Sequence, residues 1–155
     1  MGVCGSGKTT IGHLLSQQTG WPFYDGDDFH PRDNVEKMAR GEALTDADRY
    51  PWLRLLAGQM DQWLAAGSAI LACSALKDAY RQILVAGRSQ VRIVYLKGSR
   101  ELISRRLASR VHRYMPSGLL DSQFAALEEP ADALVVEVIS TPEVEVAQIR
   151  SALGS

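Results

Sequence analysis

The sequence has little sulfur: two cysteines, Cys4 and Cys73, in 155 residues exclude a disulfide framework and read as reduced thiols. Net charge is as scarce. Lys and Arg number 17 against 18 Asp and Glu, a formal balance of −1, so no global basic field draws the chain to nucleic acid or to an anionic membrane. Any affinity for anions has to be local. No apolar run approaches the roughly 20 residues of a membrane helix, and no charged start followed by an apolar middle suggests a signal peptide. Internal repeats, low-complexity tracts and Pro/Ser linkers are missing too, so a single domain over residues 1–155, in the cytoplasm, is the expectation. With 46% hydrophobic residues, a chain of this length can bury a core.

What is present alternates between strand and helix. Ile11, Leu14 and Leu15 share a helical face and Gly20 supplies a left-handed stop, which predicts a helix over Lys8 to Thr19. Trp21 to Tyr24 reads as a short strand, while Ser68 to Cys73, Val91 to Leu96 and Leu134 to Ile139 read as buried ones. Thr45 and Asp48 form a capping-box pattern ahead of Trp52, Leu56, Met60, Trp63 and Leu64, with Pro51 tolerated in the first turn or kinking it. Helices are expected near Asp78 to Ala86 and Ser99 to Arg110, and Thr141-Pro142-Glu143 is a helix start. Strand followed by helix, repeated, predicts an α/β fold: a parallel sheet covered on both faces, in three layers.

Gly2-Val3-Cys4-Gly5-Ser6-Gly7-Lys8-Thr9 fits G-x-x-x-x-G-K-[ST] directly before the first predicted helix, the context that makes this a phosphate loop. Glycines allow the backbone to wrap phosphate oxygens, amide hydrogens converge on them, and the helix start adds positive potential. Lys8 is expected to bridge the β- and γ-phosphates of ATP, and Thr9 to place its hydroxyl on Mg²⁺; Thr10 follows at the same helix start. Only Met1 stands where a buried strand of about five residues ordinarily feeds such a loop. The first strand is therefore expected to be truncated, through a late start or through a destabilising loss.

A phosphate loop alone does not distinguish a kinase from a switch or a motor. The length leaves no room for motor machinery, and no N-K-x-D guanine motif is present. Asp25-Gly26-Asp27-Asp28 follows the second predicted strand, and ligands of open parallel sheets bind beyond the carboxyl ends of strands. One carboxylate there can accept an acceptor hydroxyl's proton and another can hold the shell of Mg²⁺, with a solvated acidic turn as the plain alternative.

Together with the loop, D-G-D-D-F-H-P-R-D-N-V-E-K-M (Asp25 to Met38), G-E-A-L-T-D-A-D-R-Y-P-W-L (Gly41 to Leu53) and C-S-A-L-K-D-A-Y-R (Cys73 to Arg81) resemble the gluconokinase family, in that family's order. The resemblance runs from Gly2 to about Val138. It implies an adenylate-kinase-like core related to shikimate kinase, ATP and Mg²⁺ as cofactors, and gluconate as acceptor. Asp27 resembles the carboxylate facing the acceptor hydroxyl, and Asp25 its metal-side partner. His30, Arg32 and Asn34 resemble acceptor-region residues, Arg49 a residue directed at the substrate carboxylate, and Ser74 and Lys77 members of the loop after the third strand.

Each has a blander reading: helix-start packing for His30, a surface pair with Asp46 or Asp48 for Arg49, a solvated lysine for Lys77. Arg105, Arg106, Arg110, His112 and Arg113, ahead of a connection through Tyr114 to Gly118, resemble a lid over about residues 105–120 that carries arginines to ATP; a charged helix face is the rival. Trp52 and Trp63 read as core. Two rival functions stay open, a sister kinase for another small hydroxy acid such as shikimate, and a nucleotide-binding module inactivated by truncation. Oligomeric state is also open, with a homodimer possible.

Overall fold

A computed structural model describes residues 1–109 and 117–154. In chain order these are α1 (Lys8–Thr19), β1 (Phe23–Asp25), a 3-10 turn (Gly26–Phe29), α2 (Arg32–Ala39), α3 (Asp46–Ala66), β2 (Ile70–Ala72), α4 (Asp78–Val85), β3 (Val94–Lys97), α5 (Arg100–Ala108), α6 (Ser117–Ala126), β4 (Leu134–Glu137) and α7 (Pro142–Leu153). The α/β alternation matches expectation, with strands shorter than their apolar runs.

Helix boundaries follow local chemistry. Gly20 closes α1 at φ 74°, its amide bonded to the Ser16 carbonyl. Thr45 and Asp48 form both halves of a capping box at the start of α3, which runs unbroken through Pro51. The sequence pattern did not signal α2, because its polarity is inverted: Asn34 is buried while Val35 and Met38 are exposed. Ser117 and Gly118, expected in a connection, belong to α6. Arg110, His112, Arg113, Tyr114, Met115 and Pro116 lie outside the described residues.

All strand pairing is parallel. β1 runs beside β2 with Phe23 opposite Ile70, and β3 beside β4 with Val94 opposite Leu134. The single sheet expected is here two pairs. Met1 and Gly2 tie the pairs together: the Met1 carbonyl accepts from Leu96 N–H at 2.9 Å, and Gly2 N–H donates to the Ser74 carbonyl at 3.3 Å. Next to Met1 lies a cavity of about 480 Å³, whose lining includes Ile70 and Ala72 of β2, Val94 and Leu96 of β3, Ile11 of α1 and Ile149 of α7. β2 of one pair and β3 of the other thus both border the cavity.

Two apolar clusters flank the strands. Val3, Ile11, Leu96, Ile103, Val136 and Ile149 form one, and Trp52, Leu53, Leu56, Met60, Tyr80 and Leu84 the other. Leu53, Leu56 and Ile103 are wholly inaccessible, positions where truncation to Ala costs about 2–5 kcal/mol. The carboxyl ends of β1 and β2 lead to the phosphate loop, where Thr9 bonds Asp25 and Gly2 bonds the Ser74 carbonyl.

Candidate functional site

The loop between Met1 and α1 is shaped by steric demand. A Cβ on Gly2, at φ 149°, would stand 2.8 Å from the Leu96 carbonyl oxygen, so no other residue fits beside β3. Ser6 N–H donates to the Val3 carbonyl at 3.2 Å, and Gly7 caps α1 in a left-handed conformation. Val3 is buried in the core and anchors the loop from below. Lys8 Nζ donates to the carbonyls of Gly2 at 2.9 Å and Val3 at 3.0 Å. Burial holds its pKa below the usual lysine value, with nearby acids including Asp27 and Asp25 opposing. The Lys8 ammonium is thus folded back onto the start of the loop. Cys4 N–H donates to Gln123 Oε1 of α6 at 2.6 Å.

The acidic turn meets this loop directly. Thr9 Oγ1 donates to Asp25 Oδ2 at 3.2 Å, and Asp25 Oδ1 accepts from Asp27 N–H at 3.1 Å. The two residues expected at Mg²⁺ are therefore adjacent, a hydroxyl and a carboxylate, both hard oxygen donors. No group of three or more His, Cys, Asp or Glu among the described residues could hold an ion. The pair suits Mg²⁺, which keeps waters and phosphate oxygens and takes only one or two protein ligands. Asp27 sits past the end of β1 with its side chain 78% exposed, free to meet a ligand.

The remaining expected residues divide into groups. Arg49 of α3 lies 5.8 Å from the Tyr80 ring centroid. Lys77 Nζ lies 5.6 Å from the same ring and pairs with Asp46 at 2.9 Å. Tyr80 hydroxyl also donates to Asp46, and these bonds, Tyr80 first and Lys77 second, pull that carboxyl below its ordinary pKa. Asp46 thus occupies Lys77, and Asp48 pairs with Lys37 at 2.7 Å; neither of these pairs engages Arg49. Arg32 is turned outward onto Glu36 at 2.7 Å. Asn34 is buried, and the His30 side chain is only 3% exposed, so both look inward in this arrangement.

Ser74 contributes its carbonyl to Gly2, in a loop where Ala75 adopts φ 45°. Sequence reasoning gave no role to Arg81, whose Nη1 donates to the Ala75 and Leu76 carbonyls at 3.0 and 2.9 Å. A buried guanidinium so placed braces the strained loop against the phosphate cradle, and nothing in the local pattern distinguishes it from a helix-surface arginine. Arg106 of α5 donates to the Val138 carbonyl at 2.6 Å, just beyond β4. Trp52 is core, as expected, its Nε1–H donating to the Gly26 carbonyl at 2.8 Å. Burial raises the Cys73 thiol to about 11, which keeps it protonated and inert.

The family model for shikimate kinase matches residues 4–137. A probable gluconokinase of Xenopus tropicalis is 46% identical over 147 residues, covering 84% of this chain and 77% of its own. Among solved structures, a sugar kinase from Janibacter sp. HTCC2649 superposes with a TM-score of 0.90 at 44% identity, covering 99% of this chain and 91% of its own. A gluconokinase from Sinorhizobium meliloti 1021 follows at TM-score 0.88 and 35% identity, covering 99% and 89%. With the phosphate loop and acidic turn joined as described, and with likeness of this extent in sequence and fold, the chain belongs to the gluconokinase family, within the shikimate-kinase group of P-loop kinases.

Proposed function

We propose that the protein transfers the γ-phosphoryl group of ATP to a hydroxyl of gluconate, giving 6-phosphogluconate and ADP. The observation that carries this reading is the Thr9–Asp25 hydrogen bond, which sets an acidic turn with an exposed carboxylate beside the phosphate loop.

In the proposed reaction the gluconate hydroxyl oxygen bonds to the γ-phosphorus while the bond to the β–γ bridging oxygen breaks. Asp27 takes the hydroxyl proton, and ADP carries away the electron pair. Lys8 leaves the Gly2 and Val3 carbonyls for the β- and γ-phosphate oxygens, trading two neutral acceptors for charged ones. The loop of Gly2, Val3, Cys4, Gly5, Ser6 and Gly7, with Lys8, Thr9 and Thr10 at the start of α1, forms the cradle. Mg²⁺, held by Thr9 and Asp25, would neutralise charge developing on the phosphates.

Arg49 and Lys77 face the gluconate carboxylate, Lys77 exchanging Asp46 for the substrate anion, while Ser74 binds its hydroxyls. Arg32 turns from Glu36 to join them. Arg106, with Arg110, serves the nucleotide side. As an ATP consumer the enzyme belongs in the cytoplasm, and a homodimer is compatible with its activity.

A coupled assay for 6-phosphogluconate tests the reading. Turnover of a different hydroxy acid, with gluconate untouched, would move the protein to another acceptor. Asp27→Asn should lower kcat by about 100-fold or more while the Kd for ATP stays within about two-fold; equal loss in both would remove Asp27 from the transfer step.

A further inference from the structure

Asp27 needs an orientation that an exposed side chain does not acquire alone. A group placed to impose one is His30, whose Nε2 lies 3.7 Å from Asp27 Oδ1, farther than a hydrogen bond but facing it. The ring is not a loose surface group. It stacks on Trp52 with centroids 4.1 Å apart and an interplanar angle of 18°, and Trp52 is itself fastened to the Gly26 carbonyl at the head of the acidic turn.

Its tautomer follows from the neighbours. Asn34 Nδ2 donates to the Asp48 backbone carbonyl at 2.9 Å. A carbonyl only accepts, so that contact decides which end of the Asn34 amide is nitrogen. The same Nδ2 lies 3.3 Å from His30 Nδ1, and its second hydrogen makes Nδ1 an acceptor. In a neutral ring the proton then resides on Nε2, the nitrogen directed at Asp27. Charged groups facing the ring are Asp27 from the turn and Arg49 from α3; burial is the largest influence and favours the neutral form, Asp27 opposing and Arg49 reinforcing it.

We infer that His30 is a positioning residue for Asp27: the Asp48 carbonyl and Asn34 fix the ring as the Nε2–H tautomer, and that N–H orients the carboxylate toward the acceptor hydroxyl. The inference rests on the reading of Asp27 as the acceptor-facing carboxylate. It moves His30 and Asn34 from the substrate surface, where the sequence pattern puts them, to the wall behind it. The buried donor to a carboxylate serves rate more than affinity, because a slight misplacement of the accepting oxygen slows transfer without loosening the substrate.

Two measurements test this. In the full chain labelled with ¹⁵N-histidine, at neutral pH and without nucleotide, the His30 ring, identified by its loss in His30→Gln, should show a protonated Nε2 and an unprotonated Nδ1. A ring protonated on Nδ1, or on both nitrogens, would overturn the tautomer argument. In kinetics, His30→Phe keeps the stack on Trp52 but has no donor, and should lose about ten-fold or more in kcat with KM values for ATP and gluconate within about two-fold.

His30→Gln carries an N–H at the reach of Nε2 and should recover most of that loss. Unchanged kcat in His30→Phe, a raised gluconate KM with kcat kept, or equal damage in both variants would each sink the positioning role. The tautomer is read without any acceptor. A protein that shows it but ignores gluconate would refute the acceptor assignment and leave the positioning residue standing.

Discussion

At the scale of single residues, the largest local tension outside the site is at Glu145 of α7. It is 2% exposed, and its Oε1 has no partner among the described residues. Burial raises its pKa, against the pull of Arg106. An acid whose folded pKa lies above its unfolded value binds more protons folded than unfolded. Its neutral form is therefore favourable at low pH, and stability is lost as pH climbs through the folded value. Glu145→Gln, which keeps the shape and cannot ionise, is expected to raise Tm by about 2–4 °C at pH 7 and to have little effect near pH 4. Thermal melts at the two pH values check it, and an equal shift at both would show that ionisation is not the cause. His30 and Asn34 raise the same issue of buried polarity, but there the Asn34 amide donates to the Asp48 carbonyl and lies 3.3 Å from His30 Nδ1, which is how a polar pair can serve as a rigid wall.

Elements position the site through their ends. The capping box at Thr45 holds the first turn of α3, and that turn carries Asp46 to Lys77, Asp48 to Lys37 and Asn34, and Arg49 to the Tyr80 ring. Asp48 is engaged by three residues: Lys37, Thr45 and, through its carbonyl, Asn34. Its carboxyl is drawn down to about 2, the Lys37 hydrogen bond contributing most and Thr45 next. Folded pKa below unfolded means that this support is present above about pH 4 and is lost as pH falls toward 2. Thr45→Ala should cost about 1 kcal/mol, seen as a Tm drop of about 2–4 °C at neutral pH. It should also slow catalysis modestly, since the Asn34 anchor loosens with the turn; a lower Tm with kcat unchanged would separate the cap from the site. Gly12 shows a demand of another kind. A Cβ there would stand 2.2 Å from the Phe23 ring, so α1 can lie this close to β1 only without a side chain.

For the whole molecule, the distinctive feature is the void between the two strand pairs. Met1 lies at its edge, its backbone nitrogen donating to the Val94 carbonyl at 2.5 Å. Ile70 and Ala72 of β2 and Val94 and Leu96 of β3 border the same cavity, so an extended segment ahead of Met1 has two strand edges to pair with. With about five Val and Ile residues joined ahead of Met1, the protein should melt higher than with a Gly/Asp segment of equal length, a difference read from thermal melts. Equal melting of the two would mean that the cavity is not shaped for a strand.

Much of this was legible in the residues. The phosphate loop, the α1 stop at Gly20, the Thr45 cap, the parallel alternation and the acids after β1 are all read from short-range chemistry: glycine spacing, capping hydroxyls, apolar period. The helix α2 was not, because it buries an asparagine and exposes its apolar residues, and periodicity weighs only hydrophobicity. The inward turn of His30 onto Trp52 and the Lys77–Asp46 pair were decided by packing between segments distant in sequence, and the bracing by Arg81 by the left-handed turn at Ala75, neither of which apolar periodicity encodes. The sequence by itself determined that a triphosphate cradle and a carboxylate cluster exist. Only the tertiary structure decided which carboxylate meets Thr9 and which stays exposed, because that depends on where β1 ends beside α1 once both are buried.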